Sequence, residues 1–221
     1  MNTQDCALEV HRRLKQIFGD PSWRTSLPIL DELVSTILSQ NTNDINRDRA
    51  FSRLKQRFDT WEKVRDAEQE QVIEAIRPAG LANQKGPRIQ NILREITAER
   101  GTLDLEFLRN MPDSTALAWL EKFKGVGPKT ASIVLLFSLD KPAFPVDTHI
   151  FRVTGRLGLR PENMNAERAH TYLAEIFPPH TYKAVHLNII RLGREVCHPR
   201  QPECEICVLQ SLCDYYQKSR I

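Results

Sequence analysis

No run of about 18 apolar residues, the length that a membrane-spanning helix needs, occurs in this chain of 221 residues. Residues 1–10 carry Asp5 and Glu9 and have no apolar stretch of the kind that a secretory signal requires. A reducing compartment is therefore expected: the cytoplasm, with association to the nucleoid in a prokaryote. There thiols are kept for metal or catalysis and not for disulfides. Low-complexity tracts and repeats of solenoid period are missing, which argues against a repeat array. Strand-like alternation is scarce, so the expected fold class is all-α. An excess of one sign of charge is missing too. A net charge of +3 permits nucleic-acid binding without arguing for it, so any footprint must come from where the charges sit.

What is present suits a globular protein, with apolar residues at 41% and enough chain to bury a core. Leu30, Leu33, Val34, Ile37 and Leu38 recur at helical spacing, as do Val72, Ile73 and Ile76, then Ile89, Ile92, Leu93 and Ile96. Asp113 or Ser114 is the expected cap of a helix carrying Leu117, Trp119 and Leu120. Thr130 to Leu139 is apolar on nearly every side and belongs at the centre of a fold. Breaks fall at Gly19-Asp20-Pro21, Arg77 to Gly80, Gly125 to Pro128, Lys141-Pro142 and Pro178-Pro179. The stretch Lys141 to Pro145 marks a domain junction.

Cys197, Cys204, Cys207 and Cys213 form C-x6-C-x2-C-x5-C, a metal-site density in a reducing compartment. Structural zinc usually takes two C-x2-C hooks, and here there is one. The longer spacers can wrap a [4Fe–4S] cluster, so both metals stay open on spacing, with the cluster ahead. Cys6 stands apart and reads as a small buried hydrophobe.

Phe123-Lys124-Gly125-Val126-Gly127-Pro128-Lys129-Thr130-Ala131 is the second signal. Its glycines make a tight turn, Pro128 suits a first helical position, and a helix N-terminus behind such a turn can receive a phosphate. The same glycines also serve ordinary helix–helix turns. Lys129 falls in the first turn, where the helix dipole disfavours an ammonium and so favours the nucleophilic amine. Most lysines are nevertheless solvated, and Lys129 alone would be read so. Asp147, in Val146-Asp147-Thr148-His149-Ile150-Phe151-Arg152, is a helix N-cap and also a carboxylate able to steady a cationic sugar.

Together the hairpin, the Val146–Arg152 segment and the cysteine tail resemble the endonuclease III family, and the likeness covers almost the whole chain. The resemblance implies two helical domains with a DNA groove between them: a six-helix barrel ending in the hairpin over 27–141, and a [4Fe–4S] domain built from 1–26 and 142–221. It implies a monomer acting on duplex DNA with a damaged base, no membrane, and base excision repair. The damaged nucleotide leaves the duplex for a pocket at the junction. Lys129 matches the family's attacking lysine, which marks a bifunctional glycosylase and lyase working through a Schiff base, and Asp147 matches its catalytic aspartate. Oxidised pyrimidines such as thymine glycol are the expected substrates. Alternatives are a mismatched thymine or uracil, an oxidised purine, a modified cytosine, or a non-catalytic iron–sulfur DNA-binding protein.

In the resemblance, the helix end Gln40-Asn41-Thr42-Asn43-Asp44 fills the hole left by the flipped base, and Leu81 is the wedge. Alignment through Asp44 puts the usual glutamine at Asn41, with Gln40 one residue earlier. On residue type alone, Leu81 reads as core. Gly125, Gly127, Lys124 and Arg200 are candidate DNA contacts, and Lys85, Arg88 and Lys122 are candidate phosphate contacts because they lie near turns. Phe123-Lys124 stands where Leu-Pro is commoner, adding a cation. The loop His198 to Glu203 carries fewer basic residues than in many relatives, implying a weaker backbone grip. Asp104-Leu105-Glu106 and Ala143 to Thr148 look similar to the plant 5-methylcytosine glycosylases.

Overall fold

The structure is a computed structural model and describes residues 2–22 and 25–219. Twelve α-helices and no strand occur among the described residues. They are α1 (Thr3–Phe18), α2 (Ile29–Ser39), α3 (Asp44–Arg57), α4 (Trp61–Asp66), α5 (Gln69–Ile76), α6 (Ala82–Arg100), α7 (Asp113–Glu121), α8 (Pro128–Ser138), α9 (Thr148–Arg156), α10 (Ala166–Ile176), α11 (Tyr182–Glu195) and α12 (Asp214–Lys218). No helix among the described residues is long and apolar enough to cross a membrane. The chain divides into two compact units, one of Met1–Thr25 with Asp140–Ile221, the other of Ser26–Leu139.

In the unit Ser26–Leu139, α8 is buried at every position from Thr130 to Ser138 and packs against α2 and α7. The periodic apolar residues of α2 and α6 are buried, and α6 packs against α2, α4 and α5. Each fully buried Leu, Ile or Val contributes about 1.5–3 kcal/mol relative to an exposed one. Asn43 and Thr60 cap α3 and α4 by accepting from Asn46 N (2.9 Å) and Lys63 N (3.3 Å). The expected cap of α7 is corrected: the helix opens on Asp113 itself, after Pro112, and no side chain caps it. A proline there fixes the entry angle, so the aspartate falls inside the first turn. The Asp104-Leu105-Glu106 segment has a local explanation, because Asp104 Oδ1 accepts from Glu106 N at 2.8 Å and starts a short 3-10 turn.

In the other unit, α11 packs against α1 and α9, α1 also against α10, and α9 against α12. Phe144 is buried, stacked on Phe177 and edge-on to Tyr182. Cys6 is half-buried on α1, not enclosed as expected. It lies early on that helix, and burial still pushes its thiol up.

Candidate active site and cysteine centre

The hairpin joins α7 to α8. Phe123 is buried and accepts a turn bond from Val126 N at 3.0 Å. Gly125 has φ +90, and a Cβ there would stand 2.3 Å from Arg88 Nε, so both backbone and packing demand glycine. Gly127 differs. Its φ is −103, and a Cβ would meet nothing within 4 Å. Nothing inside the chain requires glycine there, whereas a group approaching the backbone from outside would. Pro128 takes the first helical position, and no side chain caps the amides of the first turn. Lys129 follows, half-buried, while Lys124 is exposed. Lys122 is exposed but engaged, paired with Glu99 and lying over the rings of Trp119 and Phe123.

The end of α2 separates the two candidate amides. Gln40 Nε2 donates to Gly125 O (3.1 Å) and Thr130 Oγ1 (3.4 Å), and its Oε1 accepts from Arg88 Nη1 (2.8 Å). Gln40 thus ties α2, α6 and the hairpin together. Asn41 is exposed and in the left-handed region at φ +53. Arg88, expected at phosphate, is half-buried and committed to Gln40.

Two expectations are overturned. Leu81 is 46% exposed, not core. It follows the short 3-10 turn Arg77–Ala79 and sits at φ +50 before α6, a conformation that lifts its side chain off the unit. Lys85, expected at phosphate, is 2% exposed, and its Nζ donates to Leu38 O (2.7 Å) and Ala79 O (2.8 Å). The reason is periodicity: position 85 shares the inward face of α6 with Ile89, Ile92 and Ile96. Burial, with the Arg88 guanidinium nearby, pulls its ammonium down to about 8.

In the other unit Asp147 is the half-buried N-cap of α9, its Oδ1 accepting from Ile150 N at 2.8 Å. The segment before it is held from two helices. His186 Nδ1 donates to Pro145 O at 3.0 Å, and His170 Nδ1 lies 3.0 Å from Phe144 O and 3.3 Å from Val146 N. Neither histidine stood out in the sequence, since a lone histidine on a helix carries no local signature.

Cys197, Cys204, Cys207 and Cys213 are free thiols lining one pocket, together with Arg156 and Tyr216. Among the described residues no three His, Cys, Asp or Glu side chains close on a point that could hold a single ion. Four thiols arranged around one space can hold a cuboidal cluster. Burial pushes the Cys204, Cys207 and Cys213 thiols up, and the neighbouring cysteines add to it. Cationic iron would reverse that preference. Two arginines of α9 grip the segment. Arg156 Nη1 lies 3.2 Å from Cys197 Sγ and 2.7 Å from His198 O, and Nη2 donates to Pro199 O at 2.9 Å. Arg152 donates to Cys197 O (3.0 Å) and Gly193 O (2.8 Å). Their spacing of four on one helix was a legible clue that residue-by-residue reading passed over. Arg200 is exposed at the loop's tip.

Comparison with known proteins agrees with this geometry. Residues 34–179 match the HhH-GPD superfamily of base excision DNA repair proteins. Residues 197–213 match the iron–sulfur binding domain of endonuclease III. The endonuclease III of Thermotoga maritima is 34% identical over 186 residues, covering 84% of this chain and 83% of that one. The chain belongs to the endonuclease III family. Its cysteine centre is accordingly a [4Fe–4S] site, and the family is one of DNA glycosylases of base excision repair. A relative from Arabidopsis thaliana, whose given name is that of a DNA glycosylase, is 43% identical over 150 residues; the chain spans about half (51%) of its length. The solved structure of a trapped endonuclease III–DNA covalent intermediate, an estranged-adenine complex, superposes with a TM-score of 0.85 at 25% identity, covering 100% of both chains.

Proposed function

We propose that this member of the family is a bifunctional DNA glycosylase and AP lyase, acting as a monomer in the cytoplasm on an oxidised pyrimidine in duplex DNA. The observation that carries the reading is Lys129. It is the second residue of an uncapped helix, half-exposed, behind a glycine with open space where a side chain would be. The uncapped first-turn amides and Gly127 suit a backbone phosphate, and the lysine beside them suits the adjoining sugar.

The chemistry follows from that pairing. The neutral amine of Lys129 attacks C1′ of the flipped nucleotide, the C1′–N bond breaks, and the base leaves with the electron pair and takes up a proton. The nitrogen gives a proton to water, its lone pair opens the sugar ring by breaking the C1′–O4′ bond, and O4′ takes up a proton, which gives a Schiff base. Loss of a C2′ proton then expels the 3′ phosphate and nicks the strand. Asp147 steadies the positive charge at the sugar. As an N-cap it is held in place by the Ile150 amide through Oδ1.

Asn41 fills the vacated space, because it is exposed while Gln40 is committed within its unit. Leu81 is the wedge, an exposed apolar side chain at a turn. The cysteines hold the cluster, which supplies the folded form of segment 197–213 that presents Arg200, and takes no part in the base chemistry.

The test is a panel of duplexes carrying thymine glycol, uracil, a thymine–guanine mismatch, 8-oxoguanine or 5-methylcytosine, each incubated with borohydride. Thymine glycol should give the fastest base release, a nick and a trapped adduct. Release of another base with thymine glycol untouched overturns the substrate assignment. Release without nicking overturns the lyase.

A further inference from the structure

Lys85 is an anomaly that the mechanism does not absorb. A buried ammonium costs free energy unless its donors are used, and a methionine, one atom shorter, would fill most of the space without that cost. What methionine could not do is join Leu38 O to Ala79 O. Both acceptors sit at helix ends: Leu38 in the last turn of α2, Ala79 closing the 3-10 turn Arg77–Ala79. Carbonyls there lack partners within their own helix, and the negative pole of α2 faces the ammonium. Just beyond each acceptor the chain enters the left-handed region with a non-glycine residue, Asn41 at φ +53 and Leu81 at φ +50. Such conformations persist only where their surroundings hold them. One side chain thus grips the stem of both exposed residues.

We propose that Lys85 is a positioning residue that fixes Asn41 and Leu81 at one spacing, so that gap-filler and wedge enter the duplex as a single tool. The proposal rests on the reading of Asn41 and Leu81 as inserted residues. It explains why a lysine is kept in the interior: its two donors span carbonyls that are far apart in sequence but both adjoin the inserted residues.

The test compares single-turnover release of thymine glycol from a fully paired duplex with release from a bubble of mismatches, where the lesion is already unstacked. Lys85→Met should slow release from the paired duplex about tenfold or more and from the bubble by no more than about twofold, since misplacement matters only where insertion is needed. In an Asn41→Ala/Leu81→Ala background, Lys85→Met should add less than about a twofold loss, because it acts through those residues. Equal slowing on both substrates, no slowing on the paired duplex, or an undiminished further loss in that background overturns the proposal. If Asn41→Ala/Leu81→Ala matches the wild type on the paired duplex, the reading of the inserted residues fails and the proposal goes with it. Should Lys85→Met fail to fold, Lys85→Arg keeps the donors on a longer arm. The same split between paired duplex and bubble supports the proposal, and equal loss on both overturns it.

Discussion

Segment 197–213 and the unit Ser26–Leu139 hold their functional residues in opposite ways. In the unit Ser26–Leu139, α8 is enclosed on all sides, and protein atoms alone locate the hairpin, Asn41 and Leu81, through Gln40, Arg88 and Lys85. Across 197–213 only Leu209 is buried, and the secondary structure is two short 3-10 turns. Its order comes from Arg152 and Arg156, from Arg13 of α1, which donates to Val208 O (3.1 Å) and Ser211 Oγ (2.7 Å), and from what the four thiols bind. Asp147 shares a unit with that segment but not its dependence, since Phe144, His170 and His186 hold the approach to it. The lesson is that the cluster belongs to a loop, while the hairpin and the Asp147 cap stand on self-supporting helices.

The largest effect should fall on the chemistry. Asp147→Asn should slow turnover about 10²–10³-fold, the usual cost of losing a well-placed charged group, while binding DNA at least as well because a negative charge is gone. Single-turnover rates beside binding isotherms check this; a proportional loss in both would make Asp147 a structural cap only.

Next comes the cysteine centre. Protein prepared anaerobically should be brown and contain iron, and stoichiometric zinc without iron would contradict the cluster. Cys207→Ser should open segment 197–219 to limited proteolysis and leave 26–139 protected, because cluster binding energy is folding energy for that segment alone. Simultaneous loss of protection in both would erase the contrast between the regions.

A smaller effect concerns the two hairpin lysines. Lys124→Ala should flatten the dependence of log affinity on log salt by about 1, as for one lost phosphate contact. Lys122→Ala should change it little, since Lys122 already pairs with Glu99. The reverse ranking would put the cationic face of the hairpin elsewhere.

The smallest is a pH effect inside the unit Ser26–Leu139. The Lys85 ammonium loses its proton at about 8 when folded, against about 10.4 in an unfolded chain. Between those values the unfolded state binds more protons, so the stability that Lys85 contributes rises with pH across that window. The gap in urea midpoint between wild type and Lys85→Met should therefore shift in favour of the wild type from pH 8 to pH 10. A gap independent of pH would mean that Lys85 keeps its proton inside the fold.

Local patterns were legible in the sequence. The cysteine spacing and the Gly125 to Ala131 run each lie within one short segment, and α2, α6 and α8 announce themselves by apolar periodicity. Lys85 and Arg88 were not legible in their actual roles, because their partners are distant in sequence: Leu38 is 47 positions from Lys85, and Gln40 is 48 from Arg88. The available clue was a charge on the inward face of α6. Leu81 misled because residue type predicts burial only until the backbone conformation is known.

The central claim is that Lys129 is the nucleophile. The most direct measurement is mass spectrometry of peptides from enzyme trapped by borohydride on a thymine glycol duplex. The sugar-derived mass should sit on the peptide bearing Lys129, and Lys129→Gln should yield no adduct and no nick while still binding the lesion. An adduct on any other lysine, or full nicking by Lys129→Gln, would contradict the account.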